Sequence, residues 1–215
     1  MRVVLMGVCV ATAFAATLVQ DRSWQGRVAV KPSVLNPAGA LAGRCFPVVA
    51  ALITGASGVA AGMCADAHAG VLELAARGVA ACSFGALAVL DAKYRRVPLG
   101  LAIPGIASAA LAHGTQSAAG ALAIGIGCAL VIWAASTLVW AFSGREAMAF
   151  GDVLLVWQVG ATYGADLGAW GAFLIGSTCV SAAALVFMKW RKDDEMVPLY
   201  ALVLLPYLLG LVAGA

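Results

Sequence analysis

Long apolar runs decide what this chain can fold into. They fall at about 3–19, 44–63, 71–90, 98–113, 119–142, 152–164, 168–189 and 196–213, and the short stretches between them hold most of the charge. A helix needs roughly 20 apolar residues to cross the hydrocarbon of a bilayer. The pattern therefore predicts an all-α, polytopic helical membrane protein with about eight transmembrane helices. The sixth run is short, and is expected to begin inside the 142–151 loop or to be shielded by protein. Composition excludes the alternatives. Hydrophobic residues make up 63% of the chain and charged residues 11%, against roughly a quarter charged in soluble domains. The short alternating segments of a transmembrane barrel do not occur. The longest polar stretch, residues 20–43, leaves no room for a large soluble domain. The bilayer is the expected surround, and no nucleic-acid partner is expected.

Orientation follows from lysine and arginine, which concentrate in cytoplasmic loops. Arg22, Arg27, Lys31 and Arg44 lie in or beside loop 20–43; Lys93, Arg95 and Arg96 in loop 91–97; Arg145 in loop 143–151; Lys189, Arg191 and Lys192 in loop 189–195. The alternate loops 64–70, 114–118 and 165–167 carry none. Eight spans with both termini outside place every basic loop in the cytoplasm. The first run also has features of a signal peptide: Arg2, an apolar core and the small-residue site Ala13-Phe14-Ala15. Cleavage would put loop 20–43 outside, against its charge, so an uncleaved span is the expectation.

Most remaining polar residues read as structural. The six cysteines, Cys9, Cys45, Cys64, Cys82, Cys128 and Cys179, stand alone without a Cys-x-x-Cys pair, so they are read as small apolar residues and no metal site is expected. Glu73 and Arg77 are four apart and are expected to pair across one helical turn. Gly58-x-x-x-Gly62 is expected to let two helices approach closely, and Pro104 and Pro206 to bend theirs. His68 and His113 are read as interfacial residues on the outer side.

Two aspartates do not fit this scheme. Asp152 lies in Ala147-Met148-Ala149-Phe150-Gly151-Asp152-Val153, at the mouth of an apolar run. Asp91 ends another run, just before Lys93-Tyr94-Arg95-Arg96-Val97-Pro98. A carboxylate at such a place is costly unless it is paired or faces a wet cavity, which makes each a functional candidate. The structural alternative is a carboxylate held by the dipole of a helix N-terminus. The topology puts both on the cytoplasmic side. Glu73 is 18 residues from Asp91, about 27 Å along a helix, and so belongs to the other face. Two adjacent carboxylates can share one proton, and such a pair can hydrolyse a peptide bond. The ionised member takes a proton from water and the protonated one donates to the carbonyl oxygen. The two titrate as a unit, so acid and base are not assigned individually. Gly151 would let an extended substrate backbone approach Asp152, with Phe150 beside it as a weaker substrate-binding candidate. Pro98 restricts Val97 to extended geometry and is expected to stop the turn after Asp91. The basic residues after Asp91 are read as a collar that anchors topology and can tune Asp91.

The stretch from Ala147 to Val153 resembles the Gly-x-Gly-Asp motif of type IV prepilin peptidases, bacterial intramembrane aspartyl proteases. Asp91 through Val97-Pro98 is similar to that family's first motif, an aspartate followed by basic residues and Ile-Pro. Met196-Val197-Pro198-Leu199 more weakly resembles its last span. The resemblance covers roughly residues 71–215 and implies a membrane domain of about six helices there, with residues 1–70 as an N-terminal extension carrying two more. It maps the catalytic aspartates to Asp91 and Asp152. It implies an endopeptidase that removes the basic leader from pilin-like precursors at the cytoplasmic face of the bacterial inner membrane. No cofactor is implied. Ala149 stands where the motif's first glycine usually is, Leu154 where lysine is common, and Leu99 where Asn or Asp is common. The family's frequent Cys-x-x-Cys cytoplasmic domain has no counterpart, so methyltransferase activity is not expected, as in compact members serving tight-adherence or Flp-type pili. A proton-coupled transporter using Asp91 and Asp152, and an inactive relative, are the other readings.

Overall fold

The computed structural model describes residues 1–25, 45–64, 70–144, 148–191 and 199–214. Those residues form eight helices: α1 (Arg2–Trp24), α2 (Cys45–Met63), α3 (Val71–Tyr94), α4 (Leu99–Leu111), α5 (Ala118–Ser143), α6 (Phe150–Tyr163), α7 (Leu167–Arg191) and α8 (Leu199–Ala213). The expected basic residues Arg27, Lys31, Arg44, Arg145 and Lys192, and His68, lie outside the described residues. Each apolar run has become a helix, but the runs are unequal. Five helices, α1, α2, α3, α5 and α7, are long and apolar enough to cross a membrane. The chain is thus a multi-pass membrane-embedded protein. The other three have 13, 14 and 15 residues. At 1.5 Å per residue they reach about 20–23 Å, short of the roughly 30 Å hydrocarbon core.

Helix α3 is the centre of the bundle. Helices α1, α2, α4 and α8 pack on it, α6 packs on α4 and α8, α5 lies mainly on α6, and α7 lies on α8. Every residue from Ala80 to Tyr94 is buried. A helix enclosed on all sides must be apolar all round and slim enough for its neighbours. The sequence Ala80-Ala81-Cys82-Ser83-Phe84-Gly85-Ala86 meets both conditions. Phe84 is the main exception in size. Its ring stacks on Tyr207 of α8 at 3.9 Å and meets Tyr200 at 5.2 Å. Leu87, Ile106, Leu154, Leu155, Val159 and Val203 complete that core.

The Gly58-x-x-x-Gly62 pair does bring helices together. A methyl group added at Gly58 would collide with Val10 of α1 and lie 3.1 Å from the Cys82 sulfur of α3; one at Gly62 would lie 3.2 Å from Met6. A second core then joins Phe14, Leu18 and Trp24 of α1 to Phe46, Val89, Leu90 and Tyr94.

At that end of the bundle the structure departs from the expected collar. Lys93 is 2% exposed and does not project into a loop. Its ammonium group donates to Asp21 of α1, and Tyr94 donates to the same Oδ1 at 2.6 Å. Gln25 donates to Oδ2 of Asp21 at 2.8 Å. The ammonium group also lies 4.0 Å from the centre of the Phe46 ring. The reason is geometric: α3 continues as helix through Tyr94, three residues past Asp91, which turns Lys93 inward. Arg95, at φ 55° and ψ 39°, ends the helix in the left-handed conformation, and Pro98 instead serves as the N-cap of α4. Arg96 remains exposed.

The expected Glu73–Arg77 pair is also replaced. Glu73 accepts from the Gly70 N–H at the start of its own helix, at 3.3 Å, and Arg77 donates to the Cys64 carbonyl at 3.1 Å. Free N–H groups at a helix start compete successfully for a carboxylate in the first turn.

Removing one member of a buried ion pair leaves the other charge without compensation, which costs about 3–5 kcal/mol. Asp21→Asn should therefore lower the thermal stability of the detergent-solubilised protein strongly. Replacing both partners, as in Asp21→Leu with Lys93→Met, should recover much of that loss. A double variant no more stable than Asp21→Asn would show that the loss does not come from a stranded Lys93 charge.

Candidate active site

Asp91 and Asp152 lie at the same end of the bundle, where α3 finishes and α6 and α8 begin. Each is held by a helix N-terminus, in a different way. Asp152 is the third residue of α6, and its Oδ2 accepts from the Ala149 N–H at 2.8 Å. Asp91 reaches across to another helix: its Oδ2 accepts from the Tyr200 N–H, in the first turn of α8, at 3.0 Å. The first N–H groups of a helix have no partner within it, and the dipole there favours a negative charge. The N-termini of α6 and α8 thus each hold one of the two carboxylates. Asp91 is 8% exposed and Asp152 is partly buried.

Val97, six residues after Asp91, lies against Gly151, the neighbour of Asp152, so the two aspartate segments meet there. Arg95, at the end of α3, also acts on Asp91. Among the described residues no hydrogen bond occupies the Oδ1 atom of either aspartate. Each carboxylate is therefore anchored through one oxygen, with no described residue bonded to the other. That arrangement suits a pair that shares a proton and addresses a third molecule. The structural alternative raised by the sequence, a carboxylate at a helix N-terminus, describes how the aspartates are held and does not exclude their chemistry.

The flanking residues take defined places. Ala149 has φ −83° and ψ 161°, ordinary extended backbone that needs no glycine. Alanine can stand at that motif position without strain. Gly151 has a close neighbour already: a methyl group added there would lie 2.9 Å from Cγ2 of Val97. The approach that this glycine permits is occupied by the α3–α4 turn, which brings the segment after Asp91 against the start of α6. Phe150 is 68% exposed at the head of α6. Leu154, one turn on, is buried in the main core. Leu99 is exposed at the first position of α4.

Gln158 carried no signal in the sequence. Gln158 is fully buried on α6, donating to Ser83 Oγ at 3.1 Å and to the Ala80 carbonyl at 3.2 Å. His113 places Nε2 2.8 Å from the Thr162 carbonyl and 3.1 Å from that of Ala161, satisfying the end of α6. Near it is a cavity of about 330 Å³, bordered by Arg77, His113, Tyr163, Asp166 and Gly210. Arg77 precedes Asp91 by 14 residues on α3, about 21 Å, so this cavity belongs to the opposite end from the aspartates. Among the described residues no three His, Cys, Asp or Glu side chains converge as a metal site would require.

Comparison with family models, curated proteins and solved structures yields no match to this chain. The functional reading stands on the residues and their arrangement.

The close approach at Gly151 gives a direct check on how the site is built. Gly151→Ala should destabilise the protein by about 1–3 kcal/mol through overpacking against Val97. Combining it with Val97→Ala should relieve most of that cost in a thermal melt. Equal stability of the single variant and the parent would refute the Val97–Gly151 contact.

Proposed function

We propose that this protein is an intramembrane aspartyl endopeptidase that removes the basic leader from type IV pilin-like precursors, with Asp91 and Asp152 as its catalytic pair. The observation that carries the reading is that the two aspartate segments meet at one end of the bundle, Val97 lying against Gly151, with each aspartate held through one oxygen by a helix N-terminus. They come from segments about 60 residues apart, and both segments resemble the aspartate motifs of prepilin peptidases. In the proposed reaction the pair holds one proton. The ionised carboxylate takes a proton from water as it attacks the peptide carbonyl, and the protonated one donates to the carbonyl oxygen.

The charge pattern supports a site on the cytoplasmic side of a bacterial inner membrane, where a leader peptide rich in lysine and arginine is accessible. The pilin-like precursor would be the substrate and partner. Without a counterpart of the family's Cys-x-x-Cys domain in the sequence, the proposed activity is cleavage alone. A proton-coupled carrier is the weaker alternative, since carriers commonly hold their carboxylates near midplane within broken helices. Here both carboxylates are at helix ends.

The test is processing of a co-expressed pilin-like precursor. Asp91→Asn and Asp152→Asn should each reduce leader removal by at least about 100-fold, because asparagine keeps the shape but cannot carry the shared proton. Full processing by either variant would refute the pair. With the parent protein, a single shared proton also requires a bell-shaped dependence of rate on pH. A rate that rises to a plateau and stays there at high pH would count against shared-proton catalysis.

A further inference from the structure

We propose that the hydroxyl group of Tyr200 is a third member of the aspartate site, a positioning donor whose hydrogen bond falls on the Asp91–Asp152 pair. The inference rests on the reading of that pair as the reactive centre, and extends it to a residue in neither aspartate motif.

Three observations converge on Tyr200. Its backbone N–H already holds Asp91 Oδ2 at 3.0 Å, so the residue is fixed to the site by its main chain. Its ring is 1% exposed and wedged against Phe84, which leaves it little freedom to turn away. Its hydroxyl is buried, with no hydrogen-bond partner among the described residues. Such a group forfeits the hydration it had in the unfolded chain and gains nothing in return, unless the working state supplies an acceptor.

The charged acceptors nearest to Tyr200 by structure are Asp91, held by its own N–H, and Asp152, whose segment meets that of Asp91 at Gly151. The other charged and titratable groups around the site are accounted for differently. Lys93 is turned to Asp21, Arg95 acts on Asp91 from the end of α3, and the Tyr207 hydroxyl is 3.2 Å from Thr162 Oγ1. Among the described residues the Oδ1 atoms of both aspartates and the phenol lack hydrogen-bond partners, so donor and acceptors are complementary in kind. A donor on one carboxylate favours its ionised form, and leaves the proton on the other. Tyr200 would in this way divide the roles of acid and base between two otherwise similar side chains.

Tyr200→Phe keeps the ring and removes only the hydroxyl. The decisive measurement is an infrared titration of the carboxyl groups in the purified, full-length protein, with the pair's signals assigned by Asp91→Asn and Asp152→Asn. In Tyr200→Phe the midpoint of the pair should be displaced by about half a pH unit or more. Tyr207→Phe, which removes a phenol already partnered by Thr162, should leave it in place. In precursor processing Tyr200→Phe should lower kcat about 10- to 100-fold with KM unchanged, the effect of losing one hydrogen bond to a charged group. A titration that superimposes on the parent's, or is displaced equally by Tyr207→Phe, overturns the proposal whatever the rate does. If Asp91→Asn and Asp152→Asn process the precursor normally while Tyr200→Phe still displaces the titration, the peptidase reading fails and the contact stands. If the aspartate variants are inactive and Tyr200→Phe matches the parent in both measurements, only the role of Tyr200 fails.

Discussion

A carboxylate inside an apolar bundle must be given donors, and α3 carries one at its buried end. The hydrogen bond from the Tyr200 N–H to Asp91 supplies it. That bond joins the last turn of the central helix to the first turn of α8, and a hydrogen bond to a charged group is worth about 1.5–3 kcal/mol. It also fixes how α8 enters the bundle. From that entry follow the stack of Phe84 on Tyr207 and the packing of Val203 into the main core.

The same end of α3 has a second polar demand, and it is met by α1. Lys93 lies two residues beyond Asp91, yet the two charges do not neutralise each other. Residues two apart on a helix point in different directions, so Asp91 faces α8 while Lys93 faces Asp21. This separation matters chemically. In the proposed reaction a lysine paired with Asp91 would oppose a shared proton; here the lysine is held by Asp21, and Asp91 has Arg95 as its cationic neighbour from α3. Helices α1 and α2 lie outside the stretch that resembles a peptidase, but they brace the helix that bears its first aspartate.

Much of the architecture was legible because the bilayer imposes a simple rule on composition. Each of eight apolar runs became a helix, and the grouping of basic residues put Asp91 and Asp152 at one end before any contact was known. Local rules were less dependable wherever a partner came from elsewhere in the chain. The four-residue spacing of Glu73 and Arg77 suggested a pair, but the free N–H of Gly70 and the carbonyl of Cys64 were better placed. Lys93 read as part of a basic collar because its partner is 72 residues away. Tyr200 carried no signal, since a tyrosine in an apolar run is ordinarily core.

What the sequence determined by itself was the solvent in which the chain folds, the helices that follow from it, and the two carboxylates that such a solvent penalises. Those depend on hydropathy and charge, which are properties of residues. Only the tertiary structure decided which helix end receives Asp91, which acid receives Lys93, and which side chain fills the space beside Gly151. Those depend on directions and distances between helices, and an α-helix presents its side chains on every side until its neighbours select a face.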